Sequence, residues 1–133
     1  MINLNKEYQK KNKGKILLKT AKFISWLGLL AMIIVLLNGF INGSFSEDGA
    51  ELLVNPWGIV SLVDLYVGFI LFSMWIAFRE KNVPSKVTWI ILMMVFGFLT
   101  ASAYILLALY RSDGDWLELF LGDRKASLLK NVN

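Results

Sequence analysis

The chain has no cysteine and no histidine. That excludes disulfides, thiolate zinc sites, histidine-ligated haem and every mechanism that needs an imidazole. Any chemistry would fall to carboxylates, tyrosine, lysine or the backbone, and no metal or cofactor is expected. Proline occurs twice, so long helices meet few interruptions. Charge is scarce at 18% of the 133 residues, against the quarter usual in soluble domains. Its distribution is also one-sided: from Asn42 to Asn55 there is no lysine or arginine, only Glu47, Asp48 and Glu51. Phosphate loops, dinucleotide fingerprints, metalloprotease helices and nucleophile elbows are all missing.

Apolar residues make up 56% of the chain and are gathered in three blocks. The first, Phe23 to Ile41, has no charge; the second, Pro56 to Phe78, carries only Asp64; the third, Val87 to Tyr110, has none. Crossing about 30 Å of hydrocarbon takes roughly 20 apolar residues in a helix, and lipid leaves the backbone no other way to satisfy its hydrogen bonds. The expected fold is therefore all-α, a polytopic membrane protein with three transmembrane helices. The basic segment 1–22 precedes the spans 23–41, 56–78 and 87–110; residues 42–55 form one connection and 79–86 a tight turn. Nineteen apolar residues exceed the 7–15-residue core of a signal peptide, so the first block reads as a retained helix. In the tail 111–133, Asp115-Trp116-Leu117-Glu118 resembles a capping box. Trp116, Leu117, Phe120 and Leu121 then share one face of a short amphipathic helix suited to a membrane surface.

Seven of the fourteen basic residues precede the first block. The positive-inside rule puts that end in the cytoplasm, the acidic 42–55 connection outside and, after three crossings, the C-terminus outside too. The expected location is the plasma membrane. With the basic excess explained as a topology signal, no nucleic-acid partner is implied. Lys11, Lys15, Lys19 and Lys22 fall on one helical face and form a candidate lipid-headgroup contact, with topology alone as the competing explanation.

Asp64 is the most informative single residue. An ionised carboxylate in mid-span costs around 2.5–3.5 kcal/mol on insertion scales and marks protein or water nearby. Counting depth along three antiparallel spans places Thr100 and Tyr104 on either side of it, with Ser61 one turn above and Asn38 closing the cluster. Asn38, Ser61, Asp64, Thr100 and Tyr104 are thus candidate binding residues of an outward-opening pocket. Asp64 and Tyr104 are the candidate acid and orienting group if the protein is an enzyme, which the sequence leaves open. The same residues serve equally as hydrogen-bonding glue between helices. Gly68 and Gly97 are small residues that permit close helix approach.

The stretch Asn55-Pro56-Trp57-Gly58, Leu62-Val63-Asp64-Leu65-Tyr66, Trp75 and Arg79-Glu80, continued by Trp89, Gly97 and Tyr104, resembles a family of small uncharacterised multi-pass membrane proteins of plants and bacteria. Arg79-Glu80 stands where lysine–glutamate is the family's pair. The resemblance covers Asn55 to Tyr110 and implies a helical membrane fold with an important Asp64, without an activity. A more distant likeness to compact membrane terpenoid cyclases implies an enzyme acting on a lipid or isoprenoid. Three spans bury such a polar cluster poorly alone. The leading expectation is accordingly an accessory or interaction subunit, in a homo-oligomer or a larger membrane complex.

Overall fold

A computed structural model describes residues 3–132; the first two residues of the basic segment and the last of the tail lie outside the described residues. Helix α1 runs Leu4–Asn42, α2 Phe45–Val54, α3 Pro56–Arg79, α4 Val83–Phe96 and α5 Phe98–Ser112. A short arm follows: α6 Trp116–Leu121, a 3-10 turn Gly122–Arg124, and α7 Lys125–Lys130. Among the described residues there is no strand.

Local chemistry accounts for several boundaries. Asn55 caps α3, its side chain accepting the Trp57 N–H at 3.0 Å, while Pro56 supplies the first helical φ without wasting a donor. Asp115 caps α6 through the Leu117 N–H at 2.9 Å. Residues 45–54 are a helix rather than an open connection. The Asp48 carboxylate accepts the Ser44 N–H at 2.9 Å, tying off the entry to that helix. The lysine segment and the first apolar block form one continuous 39-residue helix.

Among the described residues two helices, Leu4–Asn42 and Pro56–Arg79, are long and apolar enough to cross a membrane, not three. The third block is broken at Gly97, where φ is +57° and ψ −130°, a conformation side-chain-bearing residues rarely adopt. The chain reverses there. Trp89 and Tyr104 pack edge-to-face with ring centroids 5.0 Å apart, whereas fifteen residues of straight helix would separate them by about 22 Å. The Thr100 hydroxyl donates to the Leu92 carbonyl at 2.8 Å, sewing the returning helix to the outgoing one. With 14 and 15 residues, α4 and α5 each reach only about 21–22 Å, too short for a 30 Å core. The expected third crossing is therefore a helical hairpin, and α5 ends where α4 began.

The hairpin packs between the other two long helices. On one side Phe69 of α3 meets Met93 and Ala101, with Phe72 and Met94 around them. Gly97 must lack a side chain for a second reason: a Cβ there would lie 2.5 Å from the Phe69 ring. On the other side α1 offers a seam of Gly14, Leu18, Ala21, Ser25 and Gly28, spaced by fours and threes, along which α5 lies. Leu18 is buried there with Ala108, Leu109 and Leu119. Past the hairpin tip, the Asn42 end of α1 and the Pro56 end of α3 carry α2 and little else.

Candidate functional site

The most elaborate polar arrangement lies at the foot of the hairpin, where α3 ends. Arg79, Glu80 and Tyr104 are all buried, at 5%, 6% and 1% exposure. The Tyr104 hydroxyl donates to Glu80 Oε1 at 2.9 Å and accepts from Arg79 Nη1 at 3.2 Å. Ser85 donates to Glu80 Oε2 at 3.2 Å. The guanidinium then reaches into the arm: Nε donates to the Leu119 carbonyl at 2.8 Å and Nη2 towards that of Glu118 at 3.5 Å. Trp75 adds an indole N–H to the Phe120 carbonyl at 3.2 Å. Phe72, Trp75 and Trp89 enclose the Tyr104 ring edge-on.

Each member of this knot has work already. A buried carboxylate and guanidinium are tolerated only when paired and hydrogen-bonded, and here both are. The carbonyls that Arg79 takes lie in the last turn of α6, and that of Glu118 also accepts the Gly122 N–H. The knot therefore fastens α3, the hairpin and the arm together at one end. A second set of contacts closes the arm from outside: Arg124 donates to the Phe78 carbonyl, its guanidinium 5.3 Å from the Phe78 ring, and the Lys81 N–H meets Asp123 at 3.4 Å. Gly122, at φ +54°, lies so close to Arg79 that a Cβ would strike its side chain. Asp115 forms an ion pair with Lys125. That bond holds the Asp115 carboxyl below its ordinary value and raises the Lys125 ammonium.

The five residues expected around a pocket are not gathered. Thr100 is buried inside the hairpin, bonded to Leu92, and Tyr104 belongs to the knot. The Ser61 hydroxyl donates to Trp57 in its own helix at 2.9 Å, and Asn38 accepts from Asn42 in α1 at 2.6 Å. Asp64 is exposed on α3, fifteen residues or about 22 Å above Arg79. The depth count fails because Gly97 turns α5 back, which carries Tyr104 to the lower end of α3. Neither ion pair among the described residues, Arg79–Glu80 or Asp115–Lys125, includes Asp64. Of the four lysines, Lys11, Lys15 and Lys19 are exposed, while the Lys22 ammonium sits 4.7 Å from the centre of the Tyr110 ring. Trp26 donates to the Tyr110 hydroxyl at 3.1 Å, at the same level. Among the described residues no cluster of acidic side chains has the geometry to hold a metal ion.

In the sequence Arg79, Glu80 and Trp75 stand in one motif, but nothing local there gives their contacts. Their signal was an adjacent basic–acidic pair at the exit of an apolar helix.

These features define a class: an all-α protein with two helices of membrane-crossing length, a short helical hairpin wedged between them, and a clasped C-terminal arm. The chain belongs to the family described as a protein of unknown function, DUF1475, which it matches over residues 4–117. No curated protein and no solved structure matches it.

Proposed function

We propose that the protein is a multi-pass component of the plasma membrane in which α1 and α3 cross the bilayer. The α4–α5 hairpin enters halfway and returns to the side it came from. What supports this is charge. At the end of the bundle that holds the knot lie all fourteen lysines and arginines: seven along the start of α1, Arg79, Lys81 and Lys86 around the turn, Arg111, and three in the arm. The opposite end has Glu47, Asp48 and Glu51 and no basic residue. The positive-inside rule then sets both the lysine segment and the arm in the cytoplasm. A broken helix inside a membrane is tolerated where protein covers the break, and Phe69 and Phe98 enclose Gly97.

Within that membrane the protein is an accessory subunit that assembles with itself or with other membrane helices. The observation that carries this reading is Asp64. It is exposed on an apolar span, without an ion-pair partner among the described residues, and about 2.5–3.5 kcal/mol opposes leaving it in lipid. A polar group on a neighbouring helix offsets that cost. The acid role proposed for Asp64 gains no support, since Tyr104 is spent on Arg79 and Glu80 at the other end of α3. Native mass spectrometry from mild detergent tests the reading. Masses above the monomer are expected for the wild type, and Asp64→Leu should lose them while remaining resistant to alkaline carbonate extraction. A monomer without bound protein, unchanged in the variant, contradicts it.

A further inference from the structure

The arm is docked through backbone carbonyls, Leu119, Asp123 and Arg124, and leaves most of its apolar side chains exposed. The Leu119 and Phe120 carbonyls and the capped Asp115 face inward to Arg79, Trp75 and the α6 N–H groups. Leu119 alone of the arm is buried. Trp116 and Phe120 stack on one another, with centroids 6.0 Å apart, and remain exposed alongside Leu117. Leu128 and Leu129 of α7 are exposed too. Between these apolar residues stand Arg124, Lys125 and Lys130.

The arm's height is fixed by its neighbours. The indole of Trp116 lies against Gly14 and Leu119 packs on Leu18, five to nine residues before the first apolar block begins at Phe23. That places the arm about 8–13 Å below the start of the block, at the outer face of a headgroup layer roughly 5–7 Å deep. Beside it, a groove of about 940 Å³ runs between the start of α1 and the 113–117 corner, with Lys10, Lys11, Lys13 and Lys15 around it. Glu7, Asp113 and Asp115 also line the groove, and Asp115 is already committed to Lys125.

We infer that this end of the molecule is a docking surface for an anionic phospholipid leaflet. The arm lies along the membrane surface with Leu117, Phe120 and the exposed edge of Trp116 towards the headgroup layer, and the lysines of α1 together with Lys130 hold the phosphates. The inference rests on the membrane reading above. Charge complementarity selects this occupant: fourteen basic residues share that end with six of the chain's ten acidic ones. The interleaving of aromatic and basic side chains on short in-plane helices is what an interface rewards. An anionic leaflet attracts each nearby lysine by an amount that corresponds to roughly five-fold in binding.

The test is thermal unfolding of the purified full chain in a neutral detergent, titrated separately with phosphatidylglycerol, phosphatidylcholine and inorganic phosphate. Phosphatidylglycerol alone is expected to raise Tm by several degrees, and high salt should abolish the rise. Replacing Lys10, Lys11, Lys15 and Lys130 by Gln should remove most of it while leaving Tm without lipid unchanged. Trp116→Ser with Phe120→Ser should weaken it separately. An equal shift from phosphatidylcholine, or an equal shift from inorganic phosphate alone, overturns the inference, the latter by revealing a small-anion site. Carbonate extraction keeps the two readings apart. A protein that stays in the membrane yet ignores phosphatidylglycerol sinks this inference only; one stripped from the membrane sinks the membrane reading itself.

Discussion

Tyr104 is where the hairpin, α3 and the arm meet, and its hydroxyl is shared between an acceptor, Glu80, and a donor, Arg79. Tyr104→Phe keeps the ring in its aromatic enclosure but leaves Glu80 Oε1 and Arg79 Nη1 each one partner short. The expected loss is about 1–3 kcal/mol of stability, read as a lower Tm in detergent. Arg79→Met is the harsher change, because it removes the countercharge of a buried carboxylate and the side-chain donor to the Leu119 carbonyl; about 3–5 kcal/mol is expected from the same measurement. Ser73 supplies a contrast of opposite sign. Its hydroxyl is buried without a partner, so Ser73→Ala should leave Tm unchanged or raise it. A clear destabilisation by Ser73→Ala would show that the hydroxyl has a partner. Little of this was legible in the sequence. Arg79-Glu80 could be seen as a pair, but the acceptors for Arg79 lie forty residues on, and no local pattern announces them.

At the scale of elements, the hairpin at 83–112 is the feature that hydropathy hides. Twenty-four consecutive uncharged residues read as one span, because a hydropathy pattern measures burial in apolar surroundings and is blind to the direction of the chain. Only Gly97, with Thr100 three residues on to bond back across the turn, betrays the break, and membrane helices carry glycine too often for that to decide. The boundaries marked by side-chain chemistry were easier: Asn55-Pro56 and Asp115 announce their helices because caps act within three residues. Gly97→Ala must both adopt a strained φ, at about 1–3 kcal/mol, and push against the Phe69 ring. Shrinking that ring in a Gly97→Ala, Phe69→Ala double variant removes the clash but not the strain. The double variant should therefore stay less stable than Phe69→Ala alone; equality of the two Tm values would mean that the turn is not strained. In the arm, Asp115 has a lowered pKa, so its contribution is fully present above the ordinary carboxylate range and is lost as pH falls through the lowered value. Lys125, raised by the same bond, loses its contribution only in strong alkali. Acidification from about pH 6 to about pH 2 should speed amide exchange in α6 relative to α1. In Asp115→Asn that acid-dependent step should be missing.

The whole molecule is asymmetric from end to end. One end is basic, clasped and four helices thick; the other is acidic and comes down to the tips of two long helices joined through α2. The hairpin produces both properties at once, since its return brings Arg111, Arg124, Lys125 and Lys130 to the side of the lysine segment and leaves the far half of the bundle without a third helix. A three-span reading sets those four basic residues against the seven at the start of α1, and that conflict was visible in the sequence. What could not be read there was its resolution, which depends on a single backbone conformation at Gly97. Asp64 falls on the thinner half, exposed on α3, where another helix has room to approach. The account stands or falls on which side the arm lies. In this cysteine-free chain, single cysteines at Ser46, Ser85 and Lys130 can be challenged in intact cells with a maleimide that does not cross membranes. The prediction is labelling at Ser46 and none at Ser85 or Lys130 until the membrane is permeabilised. Labelling of Lys130→Cys together with Ser46→Cys in intact cells, with Ser85→Cys protected, would mean that residues 83–112 cross the bilayer and that the hairpin does not exist in the membrane.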